Sequence, residues 1–448
     1  MKTLRNTFKE LLRYPSAIFG LAIIALLIAL SIYAVISIPY KEAVRLWRGG
    51  QGVWEQYPRN APPAWTNLFR RDKVPETMFL STEDGSAEKV LYPGENGVNT
   101  IVMTYTFDYQ FDTFPDDMSL FFTAKYKTKQ PHLSIYWLPP SWEPIRVADM
   151  GSGRSTTYIF SQDTKLQRRL GGLPPEKALF VADPQAGLTA PVRGTYQVRV
   201  SATTFEPDSD VDGEFVLYGQ VYGIAGTDHL RRDLTVALLW GTPVALAFGL
   251  IAALGTTMLT MGIAAISTWF GGWVDAVIQR ITAVNMVLPF LPILIMIGTF
   301  YSRSIVVILG AVILLSIFTG AIMTYRAIFL QVKEAPYIEA ARAYGAGNWR
   351  IIFSYLTPRI VPMLIPNLVA AIPAFVFLEA ALAFLGLGDP SLPTWGKVIN
   401  DAQQNGALYQ GFYYWVLEPA VLLVLTGLAF AMLGFSLDRI FNPRLRGL

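Results

Sequence analysis

Cysteine is absent from this 448-residue chain, and histidine occurs only as His132 and His229. The first absence excludes disulfides, thiolate catalysis and cysteine-ligated metals; the second argues against a histidine-built metal centre or a Ser-His nucleophile. Charge is scarce as well: Asp, Glu, Lys and Arg make up 15% of the residues, with a formal net charge of +3. The basic residues are scattered or lie beside apolar runs instead of interleaving with aromatics, so no nucleic-acid surface is expected. No G-x-x-x-x-G-K-[ST] phosphate loop occurs, so any ATP must be bound by another chain. What the chain does contain is apolar mass, 52% of its residues, in uncharged runs far longer than a soluble core requires.

At the start, Lys2, Arg5, Lys9 and Arg13 alternate with Leu4, Phe8, Leu11 and Leu12 at helical spacing, which predicts a short amphipathic helix on a membrane surface. Ala17 to Ile38 is then uncharged for 22 residues. At ~1.5 Å per residue that crosses a hydrocarbon core of ~30 Å, and it exceeds the length of a signal-peptide core. Residues 1 to 39 are therefore read as a surface helix and an uncleaved first span.

Residues 40 to 222 have abundant, nearly balanced charge and read as an inserted globular domain. Thr100–Tyr109, Ser119–Tyr126, His132–Trp137, Thr195–Thr204 and Glu214–Tyr222 alternate apolar with polar residues and favour β-branched and aromatic types. An antiparallel, β-rich sandwich-like domain is expected, with 41 to 98 irregular or mixed. The aromatic run from Tyr136 to Trp142 could recognise a ligand, although core packing is the commoner use. Next, Gly226 to Leu234 reads as a helix entry capped by Thr227 or Asp228, with His229 and Asp233 as a surface pair.

Residues 223 to 448 hold five more apolar runs. Gly241-Thr242-Pro243 is expected to divide the first into an interfacial helix and a span from Val244 to Ile266. Ile281–Phe300 contains Asn285, Pro289 and Pro292 and should be kinked. Ile305–Met323, Val361–Leu385 and Trp415–Phe435 follow. Glu379 lies within the fifth span, where a charge in lipid costs ~2.5 kcal/mol or more. It marks either a functional position on a pathway or gate, for which Asn285 is a second candidate, or a place near the outer helix end where water or a neighbouring helix satisfies it. With six spans and the amino terminus inside, the basic residues Arg326, Lys333, Arg342, Arg350 and Arg359 fall on the cytoplasmic side. Residues 40 to 222 are then extracytoplasmic.

Between the fourth and fifth spans runs the polar stretch Glu334 to Pro362. Two glycines, Gly345 and Gly347, predict an elbow between two helices. Pro336 suits the first turn of the first helix, and Ala340, Ala341 and Ala343 favour helix. Asn348 is a plausible cap for the second, where Trp349, Ile352, Phe353 and Leu356 recur on one apolar face, and Pro358 and Pro362 end it and begin the next.

Glu339-Ala340-Ala341, then Gly345, then Pro358 resembles the EAA loop of permease subunits of bacterial ABC importers, with Tyr355 and Thr357 departing from its usual residues. Gly226, Thr227, Asp228, Arg232 and Asp233 match a second stretch of the dipeptide/oligopeptide/nickel class, with Arg231 in place of glycine. Glu379-Ala380, Leu382, Phe384 to Gly388 and Pro393-Thr394-Trp395-Gly396 match a third. The resemblance covers 223 to 446 well and 1 to 39 loosely.

The resemblance implies the ABC importer permease fold: a mainly α-helical polytopic inner-membrane protein of six transmembrane helices, with the β-rich domain inserted. It implies both termini in the cytoplasm and a coupling helix that seats in an ATPase subunit, carried here by Tyr337, Glu339, Ala340, Ala341, Ala343, Gly345 and Pro358. It further implies a second, different permease subunit, two ATPase subunits holding ATP and Mg, and an extracytoplasmic substrate-binding protein. No catalytic residue, metal or cofactor is expected on this chain. A membrane-anchored sensor or adhesion protein, an exporter and an external enzyme are the competing readings.

Overall fold

A computed structural model of the chain describes residues 10–50, 52–94, 97–183 and 190–441. Most of the expected surface helix at the start lies outside the described residues. Two compact units result: Met1–Arg48 with Val236–Leu448, and Gly49–Thr235. The boundaries differ from those expected at 39/40 and 222/223. Helix α1 (Pro15–Ser37) is followed by a short amphipathic helix α2 (Tyr40–Arg48), which belongs to the helical unit and buries Ala43 and Trp47. Trp240 Nε1 donates to the Ile38 carbonyl at 3.0 Å, and its ring meets Tyr40 edge-on, holding this junction.

The second unit is a sandwich of antiparallel sheets. Its strands are β1 (Met78–Ser81), β2 (Glu88–Pro93), β3 (Asn99–Tyr109), β4 (Asp117–Lys125), β5 (His132–Leu138), β6 (Ile145–Gly151) and β7 (Ser155–Ile159), then β8 (Gly194–Thr204) and β9 (Asp210–Tyr218). Two short helices, α3 (Thr164–Arg169) and α4 (Pro175–Ala178), separate β7 from β8. One sheet has the order β1-β9-β4-β7 and the other β2-β3-β8-β5-β6. The long central strands follow the alternation in the sequence: Ile101, Met103, Tyr105 and Phe107 point inward to meet Val198, Val200, Phe122 and Phe215. Trp137, from the aromatic run, is fully buried and donates to the Leu179 carbonyl at 2.9 Å, so it is core. β1 and β2, in the stretch expected to be irregular, are edge strands whose side chains are only partly buried.

Helix entry at the end of this unit differs from the expectation. Thr227 Oγ accepts the Ala61 amide at 3.0 Å and Asp228 is buried, bonding Arg232 Nε at 2.6 Å, so both stabilise the loop. Asp233 Oδ1, accepting the Thr235 amide at 2.8 Å, is the residue that caps. Arg231 adopts φ +67°, the conformation for which glycine is the default; its guanidinium donates to the Tyr57 carbonyl at 2.8 Å and lies over the Tyr218 ring.

A carboxylate clamp joins two loops. Glu206 accepts the amides of Lys127, Thr128 and Lys129 at 2.6, 2.8 and 2.9 Å, and the Thr128 hydroxyl as well. The hydroxyl first, then the amides, hold its pKa down at about 2. The clamp's stability is thus present above the ordinary glutamate value near 4.5 and is lost as pH falls towards 2. Glu206→Gln is expected to lower the melting temperature at pH 7, and the gap to wild type should close as pH drops below about 4. A gap independent of pH in melts across that range would contradict the clamp.

The remaining helices are α5 (Leu234–Phe270), α6 (Gly272–Val287), α7 (Phe290–Phe300), α8 (Ile305–Ile317), α9 (Gly320–Lys333) and α10 (Pro336–Ala343). They continue with α11 (Asn348–Ile351), α12 (Thr357–Leu382), α13 (Trp395–Gln404) and α14 (Tyr414–Phe441). Among the described residues, four helical stretches are long and apolar enough to cross a membrane, and the bent pairs α6/α7 and α8/α9 raise this to six if each pair is one crossing. α5 is one continuous helix, not two, with Pro243 inside it. The Trp395 indole donates to the Leu238 carbonyl at 3.0 Å, next to the carbonyl that the proline leaves without an amide. α5 approaches α12 closely at Gly249, where a Cβ would stand 2.5 Å from the Val376 side chain and 2.9 Å from the Ile372 carbonyl. Ser16 and Ser436 hydrogen-bond at 3.0 Å between α1 and α14.

Candidate functional site

The elbow is built by local chemistry. Pro336 occupies the first turn of α10, as its missing N–H allows, and the helix ends in a complete Schellman arrangement. The Ala346 amide donates to the Ala341 carbonyl at 3.0 Å and the Gly345 amide to the Arg342 carbonyl at 2.9 Å, with Gly345 at φ +79°. Gly347, not Asn348, is the N-cap of the next helix, and Asn348 is its first residue. That helix does not stop at Pro358 or Pro362. Residues Ile352–Leu356 form a wide π turn in which the Thr357 amide reaches the Ile352 carbonyl, five residues back. The extra residue makes room for the Pro358 ring, and α12 continues through four prolines in all, Pro358, Pro362, Pro366 and Pro373.

The side chains divide into an inner and an outer set. Ile338 and Ala341 are buried, whereas Tyr337, Glu339, Ala340, Ala343 and Gly345 are exposed and Tyr344 is 93% exposed. Pro358 is exposed on α12. Of the residues assigned to coupling, therefore, only Ala341 faces inward. The expected single apolar face of the second helix is also split. Ile351, Ile352 and Leu356 are buried, but Trp349 and Phe353 are exposed and stack on each other at 5.9 Å.

Ile338 enters a cluster with Met261, Trp269, Phe329, Ile352 and Leu356, while Tyr355 packs against its edge. Through Ile338, α10 thereby joins one apolar cluster with residues of α5, α9 and the π turn that leads into α12. Cations make a second tie. Lys333 Nζ donates to the Thr268 and Trp269 carbonyls at 2.8 and 3.1 Å, groups in the last turn of α5 that lack helical amides. The Arg342 guanidinium lies 4.3 Å from the Trp269 ring centre, attracted by the negative face of the indole. Above them, Arg326 on α9 forms a two-bond fork with Asp275 on α6 at 2.7 and 2.6 Å, and Ser267 of α5 donates to the same carboxylate. Parallel N–H···O bonds fix orientation as well as distance. The sequence offered Arg326 only as one of the basic residues expected on the cytoplasmic side, with nothing to pair it with Asp275, and Ile338 only as an apolar residue three before Ala341.

Farther from the elbow, both bent helix pairs break. α6 and α7 meet at 81°, as the proline at 289 predicts; α8 and α9 meet at 50° with no proline between them, where an unbroken span was expected. Asn285 bonds the backbone at the second break. Its amide donates to the Leu315 and Phe318 carbonyls at 2.9 and 2.7 Å, pairing backbone groups that the interruption frees. A cavity of about 340 Å³ lies there, lined by Asn285, Leu288, Ser316 and Thr319 among others. Glu379 is elsewhere: it is 6% exposed, beside Thr394, with its Oε2 unbonded, at a narrow pocket with Arg303 and Asp389. Asn285 and Glu379 thus occupy different pockets.

A short helix is thus held to the bundle at Ile338 and Arg342 and ended by a hydrogen-bonded turn.

The description "Binding-protein-dependent transport system inner membrane component" belongs to the family model that matches residues 235–447. A glutathione transport system permease protein of Pectobacterium atrosepticum is 30% identical over 222 residues, covering 49% of this chain and 72% of that protein. A dipeptide transport system permease protein of Bacillus subtilis is 30% identical over 225 residues, covering 49% and 68% respectively. A peptidoglycan transport system permease protein of Agrobacterium fabrum is 32% identical over 181 residues, covering 40% and 47%.

Proposed function

Because this chain belongs to the binding-protein-dependent transport system inner membrane components, as a peptide-class permease of ABC importers, we propose that it forms half of a peptide translocation pathway driven by separate ATPase subunits. The observation that carries this reading is the division of α10. Its small-residue face with Tyr337, Glu339 and Tyr344 is free to seat in another chain, and its inner face is locked to the bundle. ATP and Mg sit on the ATPase partners, which close on nucleotide and push α10. The cluster around Ile338 passes that movement to α5, α9 and α12, and only contacts that differ between two states can shift such an equilibrium.

Each bent helix pair crosses the bilayer once, giving six spans with both termini in the cytoplasm and residues 49 to 235 outside. A second, different permease subunit completes the pathway, and a binding protein delivers peptide from outside. Asn285 and Glu379 serve the pathway or its gate. The test is co-expression of the full chain with the ATPase, permease and binding-protein subunits. Affinity capture should bring down the ATPases, and ATP hydrolysis by the reconstituted assembly should rise with peptide-loaded binding protein. No ATPase captured, with ligand bound by residues 49 to 235 instead, would favour the sensor reading.

A further inference from the structure

At one end of the β-rich unit, the chain presents apolar side chains to solvent on a rigid mount. After Pro62 and Pro63, residues Ala64–Phe69 form a 3₁₀ turn on which Leu68 and Phe69 are each 82% exposed and Trp65 is 47% exposed. Ile224, 75% exposed, sits beside them, its carbonyl accepting Trp65 Nε1 at 2.9 Å. The turn is not a loose loop. Asn67 bonds both the carbonyl and the amide of Val74 at 3.0 and 3.3 Å, Thr66 Oγ donates to the Pro63 carbonyl at 2.7 Å, and the Ala64 amide donates to Gly223 at 2.9 Å. Arg70 and Arg71, both exposed, follow immediately.

The position of this tip is set by the chain itself. The Leu234 amide, at the first residue of the apolar helix α5, donates to the Gly226 carbonyl at 3.0 Å, two residues beyond Ile224. The tip is therefore at the end of the unit from which the chain enters a membrane-crossing helix. Aromatic and aliphatic groups followed by arginines, at that end of the unit, have the composition that partitions into the headgroup region of a bilayer. A protein partner fits less well, because a stable protein interface takes ~800 Å² per side, far more than one convex turn offers.

We propose that Leu68, Phe69, Trp65 and Ile224 form a wedge that inserts into the bilayer interface, with Arg70 and Arg71 on lipid phosphates. It seats the β-rich unit on the membrane without a partner protein. The proposal rests on α5 crossing the bilayer, and the experiment separates the two. The absence of cysteine gives labelling a zero background. Leu68→Cys and Phe69→Cys are spin-labelled in the full chain, alone, in phosphatidylcholine vesicles containing phosphatidylglycerol. Collision with oxygen, which concentrates in hydrocarbon, is compared with collision with a neutral nickel chelate, which stays in water. Two controls are Leu250→Cys on α5 and Asp208→Cys, which precedes β9 and so lies a strand's length from the tip.

The oxygen-to-nickel ratio at 68 and 69 should exceed that at 208 by about fivefold or more and approach that at 250. Because Leu68 and Phe69 lie outside the buried core, the labelled chains should melt as wild type does. Aqueous readings at 68 and 69 with a hydrocarbon reading at 250 would overturn the wedge and leave the membrane reading intact. An aqueous reading at 250 would overturn both. Protection at 68 and 69 only after the other subunits are added would reassign the tip as a protein-docking surface.

Discussion

Replacing Gly345 with valine is expected to abolish capture of the ATPase subunits and uptake, while leaving the spans folded. Gly345→Asn should retain most of both. The reason is backbone conformation alone. Gly345 has φ +79°, and a Cβ added there meets nothing within 4 Å. A β-branched residue resists the left-handed region, at a cost of roughly 1–2 kcal/mol or more, whereas asparagine tolerates it. Valine would therefore open the two hydrogen bonds that end α10 and swing its outer face away from the direction set by Ile338. Affinity capture and peptide uptake, with melting of the bundle as control, read the outcome. If asparagine were as damaging as valine, the surface at Gly345 and not its backbone geometry would be what the partner needs.

The second large effect concerns the fork between Asp275 and Arg326. Reversing either charge alone, Asp275→Arg or Arg326→Asp, sets like charges together in a half-buried site that also holds Ser267. Losing one partner of such a pair costs about 1–3 kcal/mol or more, so uptake should fall about tenfold or more in each single variant. The double reversal restores opposite charges and should recover most of that loss. Recovery will be incomplete, because Asp275 lies in the first turn of α6, where a carboxylate suits the helix dipole and an arginine does not. Wild-type uptake in a single reversal, or a double variant no better than the singles, would show that α6 and α9 need not move as one body.

The same contrast marks how far the candidate site could be read from the chain. Gly345 and the small residues of α10 are legible because a left-handed turn and a close-approach face each need specific residue types at fixed offsets. Nothing local says that Ile338 pins α10 among residues from three other helices, or that Arg342 lies on Trp269. Prolines misled in one place: Pro358 and Pro362 read as a stop, yet a π turn ahead of them carries the helix through. Absence of proline misled in another, since the helix is interrupted after Ile317, where Asn285, more than thirty residues earlier in the chain, bonds the backbone.

By itself the sequence determined the features that repeat along the chain. Uncharged runs long enough to cross a bilayer had to become apolar helices, and alternating stretches such as Asn99–Tyr109 had to become strands with one buried face. Tertiary structure alone decided the pairings. It placed β1 and β2 on sheet edges, gave helix capping to Asp233 instead of Thr227 or Asp228, closed the Asp275–Arg326 fork, and bonded the Trp65 indole to the Ile224 carbonyl. The physical reason is range: periodicity and backbone preference act within a few residues. Which carbonyl an asparagine satisfies, or which carboxylate an arginine meets, depends on where the whole chain brings them together.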